Sequence, residues 1–117
     1  MRLTIIFISI FFISLASASP SLNLQNEDIQ AGETIFATIN TSGEFLEEIS
    51  KSNVKFFEGR REIFFEFDLI FYEGVHYFYA YSVHEGNFTL EISEILYRDS
   101  GVLKSGEILK EINVSKN

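Results

Sequence analysis

The residues whose types and spacing come nearest to catalysis are Glu66 and Asp68, two apart in a stretch of β-strand pattern. On a strand they share one face, with about 7 Å between their Cα atoms. Paired carboxylates roughly 5 to 9.5 Å apart serve glycoside hydrolysis. A solvated strand face accounts for the same pair, and no neighbouring residue argues for a perturbed proton affinity. His76 and His84 lie eight apart, neither with a cysteine or carboxylate at a metal-ligand spacing, so no zinc site is expected. No G-x-S-x-G elbow and no D-x-D-x-D-G calcium loop occurs. The expectation is a protein that is not an enzyme, with no catalytic residue, no metal and no cofactor.

Two other groups of residues point to surfaces rather than to reactions. Asn40-Thr41-Ser42, Asn87-Phe88-Thr89 and Asn113-Val114-Ser115 are N-x-S/T sequons, so Asn40, Asn87 and Asn113 are glycosylation candidates if the chain is exported. The stretch from 54 to 81, VKFFEGRREIFFEFDLIFYEGVHYFYAY, holds 11 of the 18 aromatic residues. One sheet face seldom needs so many. Phe36, Phe57, Phe64, Ile70 and some of the tyrosines fall opposite the expected core faces, and a contiguous apolar patch on a monomer usually marks a contact site. Phe57, Phe64, Tyr77, Tyr79 and Tyr81 are therefore the candidate contact surface.

The elements that must position them are strands. Residues 21–25 alternate, with Leu22 and Leu24 on one face, and residues 33–40 place Ile35, Ala37 and Ile39 together. Residues 43–51 alone show helical spacing, too short for more than one turn or an irregular crossing between sheets. A strand over 53–58 turns at Gly59. Residues 62–71 then read as one long strand with Ile63, Phe65, Phe67, Leu69 and Phe71 facing a core. In the strand over 75–83, Phe78 and Ala80 point inward and the tyrosines partly outward, because a phenolic hydroxyl needs water or a partner. A strand over 87–97 buries Phe88, Leu90 and Ile92. Asp99-Ser100-Gly101 and Lys104-Ser105-Gly106 read as turns around a short Val102-Leu103 segment, and 107–114 forms the last strand.

Composition narrows the class. The 117 residues begin with Arg2, an apolar run over 3–15 and Ala16-Ser17-Ala18, the pattern of a cleaved leader. The expected division is a signal peptide over 1–18 and one domain over 19–117. An uncleaved leader would be the chain's one route to a membrane. There is no cysteine, so apolar packing alone must hold the fold. The formal charge of −8 becomes −9 once Arg2 leaves with the leader, which argues against nucleic acid and anionic lipid as partners.

About seven short strands with turn signals every 8 to 12 residues and no convincing helix suggest an all-β, antiparallel β-sandwich. The succession AGETIFATI, NVKFFEGR, EGVHYFYAY and GNFTLEI resembles the immunoglobulin-like domains of prokaryotic, particularly archaeal, secreted and cell-surface proteins, over roughly 22–114. The resemblance implies a secreted or cell-envelope module with a structural or adhesive role, contacting a protein partner or a neighbouring surface domain. The alternative is a soluble carbohydrate-binding or protease-inhibitor domain. Sugar faces favour aromatic platforms, which the three tyrosines could supply.

Overall fold

The computed structural model describes residues 19–82 and 84–116. The expected leader over 1–18 lies outside the described residues. Ten strands and one 3-10 turn follow in chain order. They are β1 (Ser21–Leu24), β2 (Ile29–Gln30), β3 (Thr34–Asn40), β4 (Glu44–Phe45), the turn (Lys51–Asn53), β5 (Val54–Glu58), β6 (Arg61–Ile63), β7 (Phe67–Tyr72), β8 (Val75–Tyr81), β9 (Gly86–Asp99) and β10 (Val102–Ser115). They form a four-stranded sheet, ordered β1-β3-β8-β7, and a six-stranded sheet, ordered β2-β10-β9-β5-β6 with β4 on β9. The chain is all-β, and its two sheets face each other as in a β-sandwich. Every pairing is antiparallel except β2 with β10.

Period-two burial accounts for the core. Ile35, Ala37 and Ile39 of β3 and Phe78 and Ala80 of β8 line the inner face of one sheet. Phe56 of β5, Phe88, Leu90 and Ile92 of β9, and Ile108, Ile112 and Val114 of β10 line the other. Phe56 joins the layers, with its ring 6.1 Å from Phe78 across the interior and 4.5 Å from Phe65, on which it stacks. Fully burying such a side chain stabilises by about 1.5 to 3 kcal/mol, and with no cysteine present this packing is the main support.

Two expectations need correction. Residues 62–71 are not one strand. The chain leaves the six-stranded sheet after Ile63, crosses the end of the sandwich through Phe64, Phe65 and Glu66, and enters the four-stranded sheet at Phe67. Phe65 plugs the crossing, stacked on Phe56 and edge-on to Phe88 at 5.0 Å. Alternation runs unbroken through the crossing because both inner faces look onto one core, so a residue that changes sheet keeps its side.

Lys104-Ser105-Gly106 is not a turn either. It lies within β10, a strand of 14 residues paired along its length to β9, with a register shift between Gly106 and Ile108. Gly106 is packed beneath the Tyr97 ring and Pro20, which leaves little room for a side chain. The turn that does form is Ser100-Gly101, both at positive φ, the two-residue connection that suits a twisted hairpin.

The 43–53 connector holds β4 and the 3-10 turn rather than a helix, and a buried histidine fastens it. His76, on the inner side of β8, is fully buried, with its ring 4.7 Å from Phe45 and 4.4 Å from Phe71. The backbone N–H of Ile49 donates to its Nε2 at 2.8 Å. A ring nitrogen that accepts carries no proton, so the proton of the neutral imidazole sits on Nδ1. Burial holds the pKa of His76 down to about 4.

Candidate functional site

Where β1, β3, β8 and β7 lie side by side, alternation turns a second set of residues away from the core. The ladders place them in rows across the sheet. Asn23, Thr38, Tyr77 and Ile70 form one row. Gln25, Phe36, Tyr79 and Asp68 form the next, with the Gln25 N–H donating to the Phe36 carbonyl. Tyr81 and Thr34 lie beyond, and Asn40, Val75 and Tyr72 lie on the opposite side.

The large side chains on this face are poorly covered. Phe36 is 50%, Ile70 51%, Tyr72 61%, Tyr77 43% and Tyr81 44% exposed. Tyr79, half-buried at the centre, touches Phe36 at 6.1 Å and Tyr81 edge-on at 6.5 Å. The rings thus tilt against one another instead of forming one flat platform.

Charge on this face is confined to its β7 edge. Asp68 accepts the Leu69 N–H at 2.9 Å, pairs with Lys51 at 3.4 Å and accepts the Tyr79 hydroxyl at 3.4 Å. The Leu69 hydrogen bond, aided by Lys51 and Tyr79, holds its carboxyl below the usual aspartate value. Desolvation and the adjacent Asp68 raise the Tyr79 phenol in turn. At the opposite edge an open groove of about 380 Å³ runs between Asn23, Gln25, Phe36, Thr38 and Tyr77. The amides of Asn23 and Gln25 line it as uncharged donors and acceptors.

The structure thus gathers Tyr77, Tyr79 and Tyr81 and sets Phe57 and Phe64 elsewhere. Phe57 lies on β5, on the outer side of the six-stranded sheet, half-buried opposite Thr89 and Glu62. Phe64 projects from the crossing, 85% exposed, beside an open pocket of about 550 Å³ that Glu58, Arg61, His84 and Phe88 also line. In place of these two, Phe36, Ile70 and Tyr72 complete the tyrosine face. Tyr72 reads as a turn residue in the sequence. Carrying the alternation of Glu66, Asp68 and Ile70 one step further would have found it.

The remaining candidates scatter. Glu66 is exposed at the crossing, whereas Asp68 is held in its ionised form, the opposite of what a general acid requires. His84 is exposed and His76 lies in the core, so the two histidines do not share a site. Among the described residues no group of three His, Cys, Asp or Glu side chains could hold a metal ion. Asn40 is half-buried, and its Oδ1 accepts the Ser21 hydroxyl at 3.2 Å. Asn87 and Asn113 are both exposed and sit directly opposite each other on β9 and β10. No protein-family model matches the chain, and comparisons with curated proteins and with solved structures return no match.

Proposed function

We propose that the chain is an exported, non-catalytic immunoglobulin-like module with a structural or adhesive role at the cell envelope, making its contacts to protein through the outer face of the four-stranded sheet. The strand order supports the immunoglobulin-like reading. β1-β3-β8-β7 against β10-β9-β5 follows the ABED and GFC sheets of that fold, with β6 as an added edge strand. The domain departs from antibody domains in having neither cysteine nor tryptophan, and the buried Phe56 on β5 serves as the aromatic of strand C. The leader pattern supports export.

The observation that carries the functional reading is the contiguous face of Phe36, Ile70, Tyr77, Tyr79 and Tyr81. Tyrosine and phenylalanine are enriched at protein interfaces, where a ring supplies area and a phenolic hydroxyl orientation. Crosslinking of the exported chain to envelope fractions tests it. Capture of a protein by the native chain, lost with Tyr77→Ser and Phe36→Ser together, is the expected result. Equal capture by the double variant would sink the reading.

A carbohydrate-binding role is the second reading, favoured by the groove with its two amides beside Phe36 and Tyr77. It requires a neutral oligosaccharide to bind on a glycan array and the signal to fall with Asn23→Ala.

A further inference from the structure

We propose that the partner of the four-stranded sheet's outer face is a second copy of the same chain, joined face to face about a two-fold axis running parallel to the strands. The inference rests on reading this face as protein-contacting, and it names the partner. Area is the first argument. Phe36, Ile70, Tyr72, Tyr77 and Tyr81, each about half exposed, present roughly 500 Å² of largely apolar surface, at about 200 Å² per large side chain. Two copies bury twice that. With the polar rim of Asn23, Gln25, Thr34 and Thr38, the contact reaches the range of about 1,200 to 2,000 Å² that specific interfaces occupy.

Charge is the second argument. Each copy carries −8, or −9 once the leader is removed, so copies repel over most of their surface. The outward residues of β1, β3 and β8 are all uncharged, and Glu66 and Asp68 are confined to the β7 edge. Among the described residues, this outer face keeps its carboxylates at one edge, so two such chains can meet across it without opposing carboxylates at its centre.

Charge also selects the axis. A two-fold perpendicular to the strands would bring the two β7 edges together, carboxylates against carboxylates. A two-fold parallel to the strands keeps each row and reverses its order, so that β1 lies over the partner's β7 and β3 over the partner's β8. Gln25 then faces the partner's Asp68, Phe36 the partner's Tyr79, Thr38 the partner's Tyr77 and Asn23 the partner's Ile70. Every contact occurs twice, as an isologous interface requires. Aromatic meets aromatic, and an amide donor meets Asp68 beside the Lys51 that already pairs with it.

Sedimentation equilibrium of the chain recovered from an exporting host, its N-terminus read by mass spectrometry, tests this. A dimer is expected. Phe36→Glu should raise its dissociation constant at least about tenfold, with Tyr77→Ser as the gentler second variant. Leu109→Glu, on the other sheet's exposed face, should leave it unchanged. Gln25→Lys should tighten the dimer by up to about fivefold, in a salt-sensitive way, by meeting the partner's Asp68. Thermal melts by circular dichroism confirm that each variant is folded. Weakening by Gln25→Lys overturns the axis, since two introduced lysines would then oppose each other. A monomer at every concentration, or a dimer indifferent to Phe36→Glu, overturns the proposal. A monomer that still captures an envelope protein through Phe36 overturns it while leaving the protein-contact reading intact.

Discussion

The two outer faces of the sandwich are made by the same alternation and populated in opposite ways. On the six-stranded sheet, Lys55 of β5 sits opposite Glu91 of β9, which sits opposite Leu109 of β10. One row along, Phe57, Thr89 and Glu111 follow, with the Thr89 hydroxyl donating to Glu111 at 3.1 Å. In these rows charges of both signs flank Leu109 and Phe57, as on a face kept in water. On the four-stranded sheet no charge separates Phe36 from Tyr77, Tyr79 and Tyr81. Both sheets bury a largely apolar inner face onto one core. The contrast is therefore not required by the shared core, and the proposed contact role of the aromatic face is what the following measurements test.

The largest expected effect lies where the two faces share their support. Phe56→Ala removes the ring that stacks on Phe65 and reaches Phe78 of the opposite sheet. The loss should be about 3 to 5 kcal/mol, read as a fall in the urea midpoint, since a large ring leaves a cavity the sheets cannot close. If one cooperative core carries both faces, a single transition should move. Two separated transitions would show that the sheets are held independently.

Acid should separate the two sheets more gently. His76 anchors the 43–53 connector from beneath the four-stranded sheet, and no histidine is buried on the inner face of the other. Its folded pKa of about 4 lies below the ordinary value of 6.5, so between these values the unfolded chain binds the proton and the folded chain does not. Stability is complete above pH 6.5 and declines as pH falls toward 4, by up to about 3 kcal/mol over the interval. Below pH 4 this contribution is flat. Asp68, held below its usual value, then adds loss of the same sign at lower pH. Urea midpoints measured from pH 7.5 to 4 check the slope, and His76→Phe should flatten it.

Gly43→Ala tests the other attachment of the same connector. A Cβ at position 43 would lie far inside van der Waals contact with the Arg98 carbonyl, so the chain must shift where β4 joins β9. An expected loss of about 1 to 3 kcal/mol, seen as a lowered melting temperature, would place this cost on the six-stranded sheet.

How much of this was legible follows from what alternation encodes. It places Phe65, Phe67 and Phe71 on the core side and Phe36, Ile70 and Tyr77 on the other, because side is a local property of a strand. It does not encode which sheet a strand joins. Ile63 and Phe67 keep the same phase across the break at 64–66, so Phe57 and Phe64 read as neighbours of the tyrosines when they are not. Lys104-Ser105-Gly106 fails for the complementary reason. Its residues have turn chemistry, but the long pairing with β9 and the packing of Tyr97 over Gly106 outweigh it. The groove edge is missed too, because Asn23 and Gln25 acquire meaning only when β1 lands beside Phe36 and Thr38.

The smallest effect on stability is the one that bears most directly on the contrast. Exchanging the character of the two faces one residue at a time should leave folding nearly unchanged. Tyr77→Ser and Glu91→Ser each alter an outward side chain with no core contact of its own, and surface changes of this kind fall within about 0.5 kcal/mol. Hydrophobic-interaction chromatography separates them instead. Tyr77→Ser should shorten retention, because it interrupts a contiguous patch. Glu91→Ser should lengthen it only slightly, because Lys55, Glu111 and Glu62 still divide that face. Equal shifts would mean that retention counts apolar residues wherever they lie, and the aromatic face would lose its claim to act as one surface. A stability loss above 1 kcal/mol for Tyr77→Ser would mean that its ring braces β8 against Thr38 and Ile70, and the tyrosines would then belong to the fold rather than to a partner.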